Sequence, residues 1–172
     1  VLALLAGTYR GSDGTEAHVV PGEGADVEVW IMGSSGGASA EVAGARGLPF
    51  ASNYHIAPSE VLEAVDAYRA AFRPSDRRDR PHVAVSADVV VAPTDDEARE
   101  LATGYGLWVR SIRSAAGAIP FPTPEEARHH AWTDEDRAMV RDRVDTQFTG
   151  SPATVAERLD VLARATGADE LV

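Results

Sequence analysis

The stretch VEVWIMGSSGGASAEVAGARGLPFASNYHIAP, Val27 to Pro58, decides the fold class. Apolar, β-prone residues over Val27–Met32 predict a strand, and small residues over Ala38–Arg46 predict a helix that ends at Gly47. A second apolar run, Leu48–His55, predicts another strand. Strand, helix and strand in this order are typical of a parallel α/β fold, because the helix returns the chain to the edge where the next parallel strand begins.

The same alternation continues to the end of the chain. The predicted elements are a helix over Pro58–Phe72, a strand over residues 82–92, a helix from Thr94 to about Arg113, helices that begin at Thr133 and Ser151, and a strand from about Ala168. Helical spacing predicts that two sets of side chains face the core: Val61, Leu62, Val65, Tyr68 and Phe72, then Ala98, Leu101, Tyr105, Trp108 and Ile112.

Residues 114–132 interrupt this alternation with glycine and three prolines, and predict an insertion. In a β/α barrel the loops that follow the strands form the active face, so this segment is a candidate lid. A surface insertion without function is the equal alternative. The two chain ends, an apolar helical turn at Val1–Leu5 and a strand that only begins at GADELV, predict a piece of a longer protein.

Composition limits the classes of function. The 172 residues are 44% hydrophobic and carry a net charge of −11, which disfavours nucleic acid and anionic membranes as partners because phosphates would be repelled. No window approaches the roughly 18 apolar residues of a membrane span. The absence of cysteine excludes disulfides and thiolate metal sites, and makes a cytoplasmic location the default expectation.

The turn Gly33–Gly37 is the first candidate site. A turn without bulky side chains, between the end of a strand and the start of a helix, exposes backbone N–H groups to a ligand, and the helix dipole favours an anion there. The lysine of a Walker loop is absent, and so is the G-x-G-x-x-G pattern with its ribose-binding acid. A phosphate site and a simple tight turn both remain open on this chemistry.

Two other groups of polar residues do not indicate a metal site or a catalytic site. His129 and His130 are adjacent in the insertion and lack a third ligand, so no metal site is predicted. Asp169 and Glu170 are neighbours on a predicted strand and would face opposite sides, which disfavours a carboxylate pair.

The quoted stretch resembles the luciferase-like flavin-dependent monooxygenases, in the order WIMGSS, small residues, GLPFA, histidine and proline. The resemblance continues through YRAAFRPS (68–75), APTDDEAREL (92–101) and GSPATVAERLDVLARATGADEL (150–171). It implies a TIM (β/α)8 barrel of which residues 1–172 are the C-terminal half, roughly strands five to eight with their helices.

The resemblance also implies a flavin phosphate site. Its residues would be Gly33, Ser34, Ser35, Gly36, Gly37, Ser39 and His55. The backbone of Ser35 and Gly36 would donate to the phosphate and the Ser39 hydroxyl would assist, whereas Ser34 would support the turn. Many relatives carry bulkier residues at Gly36-Gly37. For His55, a structural hydrogen bond at the mouth of the barrel is the favoured alternative to a cofactor contact.

The function that the resemblance implies is a monooxygenase that uses reduced FMN and O₂ on a small, aldehyde-like substrate, with a separate flavin reductase supplying the FMN. An F420-dependent oxidoreductase on the same fold is one alternative, and a non-catalytic flavin-binding or structural half-barrel is another. No catalytic acid or base is assigned, because most residues around the flavin ring would come from strands one to four. The chain alone is expected to be inactive, and to pair with the missing barrel half or to form a homodimer.

Overall fold

The computed structural model describes residues 1–114 and 117–172, which divide into two compact units. The first unit, Val1–Trp30, contains one short helix, α1 (Leu2–Leu5), followed by Gly7 in the left-handed conformation. An isolated antiparallel bridge joins Arg10 and Glu16. Within the described residues, no helix combines the length and apolar character needed to cross a membrane.

The second unit, Ile31–Val172, has alternating strands and helices. Its strands are β1 (Ile31–Gly33), β2 (Phe50–Ser52), β3 (Val83–Val85), β4 (Val89–Val91), β5 (Phe148–Gly150) and β6 (Glu170–Leu171). Its helices are α2 (Ala38–Ala45), α3 (Val61–Ala71), α4 (Asp95–Arg113), α5 (Pro124–His129), α6 (Asp134–Thr146) and α7 (Pro152–Thr166), and a 3-10 turn over Pro58–Glu60 leads into α3.

The strands form two parallel sheets, which confirms the predicted α/β class. The larger sheet has the order β1-β2-β3-β6 and the smaller one pairs β4 with β5. Strand β1 is shorter than the predicted strand over Val27–Met32, since the β2 partner residues run only from Phe50 to Ser52. The predicted strand over Leu48–His55 contains this β2 segment.

The prediction of one strand over residues 82–92 is wrong. Its first part, β3, pairs with β2 and β6 in the larger sheet, and its last part, β4, pairs with β5 in the smaller sheet. Between them the backbone changes partners, because the Ala87 N–H donates to Val172 and the Asp88 carbonyl accepts from Phe148. Strand β5 was not predicted, because its three residues are too few to show a period.

Tyr68 of α3 connects the helix layer to the larger sheet. It is fully buried, and its ring stacks on Phe50 of β2 with the centroids 5.3 Å apart. Its hydroxyl donates to the Leu48 carbonyl over 2.9 Å and accepts from the His82 N–H over 3.0 Å. A single side chain therefore holds the residues that lead into two neighbouring strands.

The two predicted core faces are confirmed only in part. Val61, Val65 and Tyr68 of α3 are buried, and Ala98 and Tyr105 of α4 are buried as well. Three predicted core residues are instead substantially exposed: Leu62 (51%), Leu101 (55%) and Ile112 (45%). Each lies beside the buried stripe of its helix, where helical spacing alone does not define how wide the packed face is.

Residues 114–132 are not a loop throughout. Thr123 and Glu126 form a capping box that starts α5, and the buried Ala127 fixes this helix in the fold. A carbonyl of Pro122 lies so close to α4 that a Cβ atom at position 104 would be 2.3 Å from it, so Gly104 is required there. Ala115 and Ala116 of the predicted insertion lie outside the described residues.

Helix α6 is attached to α4 through Asp136. The Arg110 side chain and the Thr133 backbone N–H donate to its carboxylate, and these hydrogen bonds lower the pKa of Asp136 to about 2. Thr133 and Asp136 also form a capping box, which confirms the predicted helix start at Thr133. The starts at Thr94 and Ser151 are also confirmed, each with the side-chain cap in place.

The substitution Tyr68→Phe should destabilise the protein by about 1–3 kcal/mol, because it removes two buried hydrogen bonds while it keeps the ring packing. Urea denaturation followed by circular dichroism measures this change. Tyr9→Phe is the matched control, since Tyr9 is 42% exposed and should leave the midpoint unchanged. Equal midpoints for the two variants would contradict the role assigned to the Tyr68 hydroxyl.

Candidate functional site

The carboxyl ends of the first three strands meet at one edge of the larger sheet. Gly33, Ser52 and Val85 lie in register at the ends of β1, β2 and β3. Two further backbone hydrogen bonds extend the alignment: the Asn53 N–H donates to Gly33, and the Ser86 N–H donates to Ser52. The residues that follow the strands are thereby held together at this edge, where ligands of parallel α/β proteins bind.

The turn that follows β1 leads directly into α2. Gly37 is the N-cap residue of this eight-residue helix, and no side chain caps it among the residues that the structure describes. Ser35, Gly37, Ala38 and Ser39 are exposed. The turn thus presents main-chain groups and two hydroxyl groups to solvent at the positive end of a helix dipole. The helix ends as predicted, with Gly47 in the left-handed conformation.

The glycines of this turn differ in how much space surrounds them. A Cβ atom at position 33 would lie 2.9 Å from the Ser39 Cβ and 3.2 Å from the Phe50 ring, so Gly33 permits close packing. At Gly37 the nearest atom of the described residues, apart from its two chain neighbours, is the Ser35 hydroxyl oxygen, 3.6 Å from such a Cβ. Position 37 is therefore open space, and its φ of −80° suits any residue.

Gly36 packs against Glu63 in the first turn of α3. A Cβ atom at position 36 would lie 2.9 Å from the Glu63 Cγ and 3.2 Å from its carbonyl oxygen. The glycine is thus required by the approach of α3. The same contact places a carboxylate beside the candidate phosphate turn, where it would repel an anion.

His55 is held at the same edge by Ser86. Its Nδ1 atom lies 2.5 Å from the Ser86 hydroxyl, and the half-buried ring connects the segments after β2 and β3. This contact agrees with the structural alternative for His55. The buried Ser52 hydroxyl and the Asn53 amide oxygen also lie here, and neither has a hydrogen-bond partner within residues 1–114 and 117–172.

The two adjacent histidines are directed to different neighbours. His129 Nδ1 lies 2.8 Å from the Glu125 carbonyl oxygen, whereas the His130 ring packs edge-on against Trp132. Across the described ranges, no three His, Asp or Glu side chains are grouped so that they could hold a metal ion. Asp169 accepts from the Val83 N–H, and both carboxylates lie near one imidazole: Glu170 is 2.7 Å from His82 Nε2, and Asp169 is 3.9 Å from His82 Nδ1.

Four residues of this edge were not predicted as site residues: Ser52, Asn53, Glu63 and Ser86. A signal existed for three of them, since polar residues directly follow or end strands of apolar sequence. Glu63 left no such signal, because its proximity to Gly36 depends on how α3 packs against the turn.

The arrangement defines a class of protein, a parallel α/β fold with an anion-type turn at the carboxyl edge of its sheet. A model of the luciferase-like monooxygenases matches residues 4–170, so the chain belongs to the luciferase-like monooxygenase family. It is 34% identical over 158 residues to YvbT of Bacillus subtilis (strain 168), covering 91% of this chain and 46% of that protein. It is 32% identical over 154 residues to a luciferase-like monooxygenase of Escherichia coli (strain K12), covering 89% and 45%.

Solved structures agree with this assignment. The chain is similar to apo-MsnO8, with 30% identity, a TM-score of 0.76, and coverage of 93% of this chain and 48% of that one. It is also similar to the FMN-bound oxygenating constituent of 3,6-diketocamphane monooxygenase of Pseudomonas putida, a type II Baeyer–Villiger monooxygenase (25%, TM-score 0.55, coverage 93% and 45%). A coenzyme F420-dependent tetrahydromethanopterin reductase of Methanopyrus kandleri shares the fold (15%, TM-score 0.53, coverage 99% and 53%). The chain spans about half the length of the curated relatives it matches.

The substitution Ser86→Ala should release His55 from its hydrogen bond and destabilise the protein by about 0.5–1.5 kcal/mol. Urea denaturation measures the stability, and the imidazole proton resonances in NMR report the environment of the ring. Ser59→Ala is the control, because Ser59 is exposed on the 3-10 turn before α3. An unchanged His55 resonance in Ser86→Ala would contradict the contact.

Proposed function

We propose that this chain supplies the flavin phosphate site of an FMN-dependent monooxygenase that acts with O₂ on a small, aldehyde-like organic substrate. The observation that carries the proposal is the turn Gly33–Ser39, where an exposed helix start without a side-chain cap follows a strand at the carboxyl edge of the sheet. Membership of the luciferase-like family and the likeness to an FMN-bound relative support it.

The residues present fit a phosphate group. Gly37 leaves open space where a larger residue would project a side chain, and the exposed Ser35 and Ser39 bring hydroxyl groups to the turn. The start of an eight-residue helix adds backbone donors and a favourable dipole. Glu63 opposes the fit by its charge, so its exposed side chain must turn away when a dianion binds.

In this proposal the backbone of Ser35 and Gly36 and the Ser39 hydroxyl hold the phosphate. The hydrogen bond between His55 and Ser86 keeps the neighbouring strand ends in place. The unpartnered Ser52 hydroxyl and Asn53 amide oxygen are further polar groups at the edge. The bound reduced flavin supplies the reaction with O₂, and the protein residues contribute binding, orientation and exclusion of water. A separate flavin reductase would supply the reduced cofactor.

We also propose that further strands complete the larger sheet. Its two outer strands are β1 and β6, and side chains alternate between its faces. One face packs against helices through Phe50, Val83 and Val85. The other face carries Met32, which is 61% exposed, on an outer strand. We expect strands one to four of a barrel to complete this sheet, with residues 1–172 as the C-terminal half of a single β/α barrel domain, in the same polypeptide or in a second copy.

An F420-dependent oxidoreductase is the second candidate, because the F420-dependent reductase of Methanopyrus kandleri has the same fold. The phosphate turn suits either cofactor. Absorption spectra of the protein incubated with each cofactor distinguish the two candidates, since FMN and F420 absorb at different wavelengths. Binding of neither would favour a structural, non-catalytic role.

The substitution Gly37→Asp should weaken FMN binding to the complete protein at least tenfold, about 1.4 kcal/mol, because it places a negative charge at the phosphate. The control Gly37→Asn has the same shape without the charge, and both residues are good helix N-caps that the open space accommodates. Quenching of flavin fluorescence measures the affinities. Ser39→Ala should cost less than Gly37→Asp, since the backbone donors remain. Equal affinities for the Asp and Asn variants would show that the phosphate binds elsewhere.

The substitution Glu63→Gln should strengthen FMN binding about three- to tenfold at low salt, because it removes the carboxylate beside Gly36. The gain should shrink as ionic strength rises. Asp66→Asn is the control, since Asp66 is an exposed acid three residues further along α3. The same titration measures both variants, and weaker binding in Glu63→Gln would mean that the carboxylate supports the turn.

A further inference from the structure

A large cavity lies away from the phosphate turn. Its volume is about 700 Å³, within the range of small-molecule sites, and its walls come from α4, α6, β5 and α7. No residue of Gly33–Ser39 lines it. It is therefore separate from the phosphate turn proposed above.

Four of the 16 arginines of the chain line this cavity: Arg99, Arg137, Arg141 and Arg158. Asp145 is the carboxylate among the lining residues. This local excess of positive charge contrasts with the net charge of −11 for the whole chain. Such a concentration of one sign within a concave surface attracts ligands of the opposite sign.

The four arginines differ in whether a nearby carboxylate already neutralises their charge. Arg99 pairs with Asp96, and Arg137 lies 3.5 Å from Asp134. Within the described part of the chain, Arg141 and Arg158 have no carboxylate within 4 Å. Arg158 instead lies over the Phe148 ring, 5.1 Å from its centroid. These two guanidinium groups therefore keep their capacity for a carboxylate ligand.

The remaining wall is apolar and aromatic. Trp132 and Tyr105 contribute ring surface, and Val140 and Val144 add aliphatic surface. Gly106 allows the Trp132 ring to approach α4, because a Cβ atom there would lie 3.3 Å from that ring. This wall suits the planar ring of a ligand whose charged group lies toward the arginines.

We propose that this cavity is a binding site for an organic anion, an aromatic carboxylate whose ring packs against Trp132 and whose carboxylate pairs with Arg141 and Arg158. The guanidinium groups supply charge and directed donors, and the apolar wall supplies the selectivity for a ring over an inorganic anion. The ligand is a molecule separate from the flavin, bound between helices on a different part of the fold.

Calorimetric titration of the intact, flavin-free protein with 2-naphthoate tests the site. We expect binding that weakens at least threefold in Arg141→Gln and in Arg158→Gln, and at least tenfold in the double variant. The matched control is Arg164→Gln, which lies on α7 outside the cavity and pairs with Asp160. Neutral 2-naphthamide should bind at least tenfold more weakly than 2-naphthoate, and added salt should weaken the naphthoate alone.

Two measurements locate the ligand. Trp132→Phe should remove most of the change in tryptophan fluorescence on addition of 2-naphthoate, and saturating FMN should leave naphthoate affinity unchanged. The proposal is overturned if 2-naphthoate does not bind, if it binds as tightly as the amide, or if the arginine variants bind like Arg164→Gln. Displacement of naphthoate by FMN would also overturn it, and would place the naphthoate in the flavin site.

Discussion

The backbone hydrogen bonds between neighbouring parallel strands are the constraint on which the candidate flavin site depends. Bonds from Asn53 to Gly33 and from Ser86 to Ser52 continue the register of the sheet beyond the last paired residues. Because parallel strands end at the same edge, segments far apart in sequence meet there. The candidate phosphate turn and the His55–Ser86 contact both follow from this alignment.

The glycines of the phosphate turn show how packing and binding share a few residues. Gly33 makes room for the Phe50 ring, Gly36 makes room for Glu63, and only Gly37 faces open space. The glycines within these five residues therefore have different physical roles. The carboxylate of Glu63 also indicates that affinity for an anion at this edge is a balance between donors of the helix start and repulsion from α3.

Charge is unevenly distributed over an acidic chain. The helices α4 and α6 begin with several acidic residues, which stabilise the helix N-termini through the helix dipole. Four arginines, in contrast, line one cavity. Local charge thus differs from what the net value of −11 suggests. The overall charge disfavours a polyanionic partner, whereas the ligand of a single cavity depends on the residues that line it.

The sequence by itself determined the α/β class, the order of the main elements and the helix starts at Thr94, Thr133 and Ser151. These features depend on local periodicity and on caps that span three or four residues, so neighbouring residues contain the whole signal. The candidate turn Gly33–Gly37 was also predictable, because its composition is local. The family motifs were sufficient for the assignment that the comparisons then showed.

Only the tertiary structure decided which partner each short strand takes. Residues 82–92 divide between two sheets because Asp88 pairs with Phe148, a residue 60 positions further along the chain. The contact of Glu63 with Gly36, the bond of His55 to Ser86 and the cavity of four arginines arise in the same way, from elements distant in sequence. Strands of three residues contain too little periodicity to specify their neighbours, so pairing is set by the packing of the whole unit.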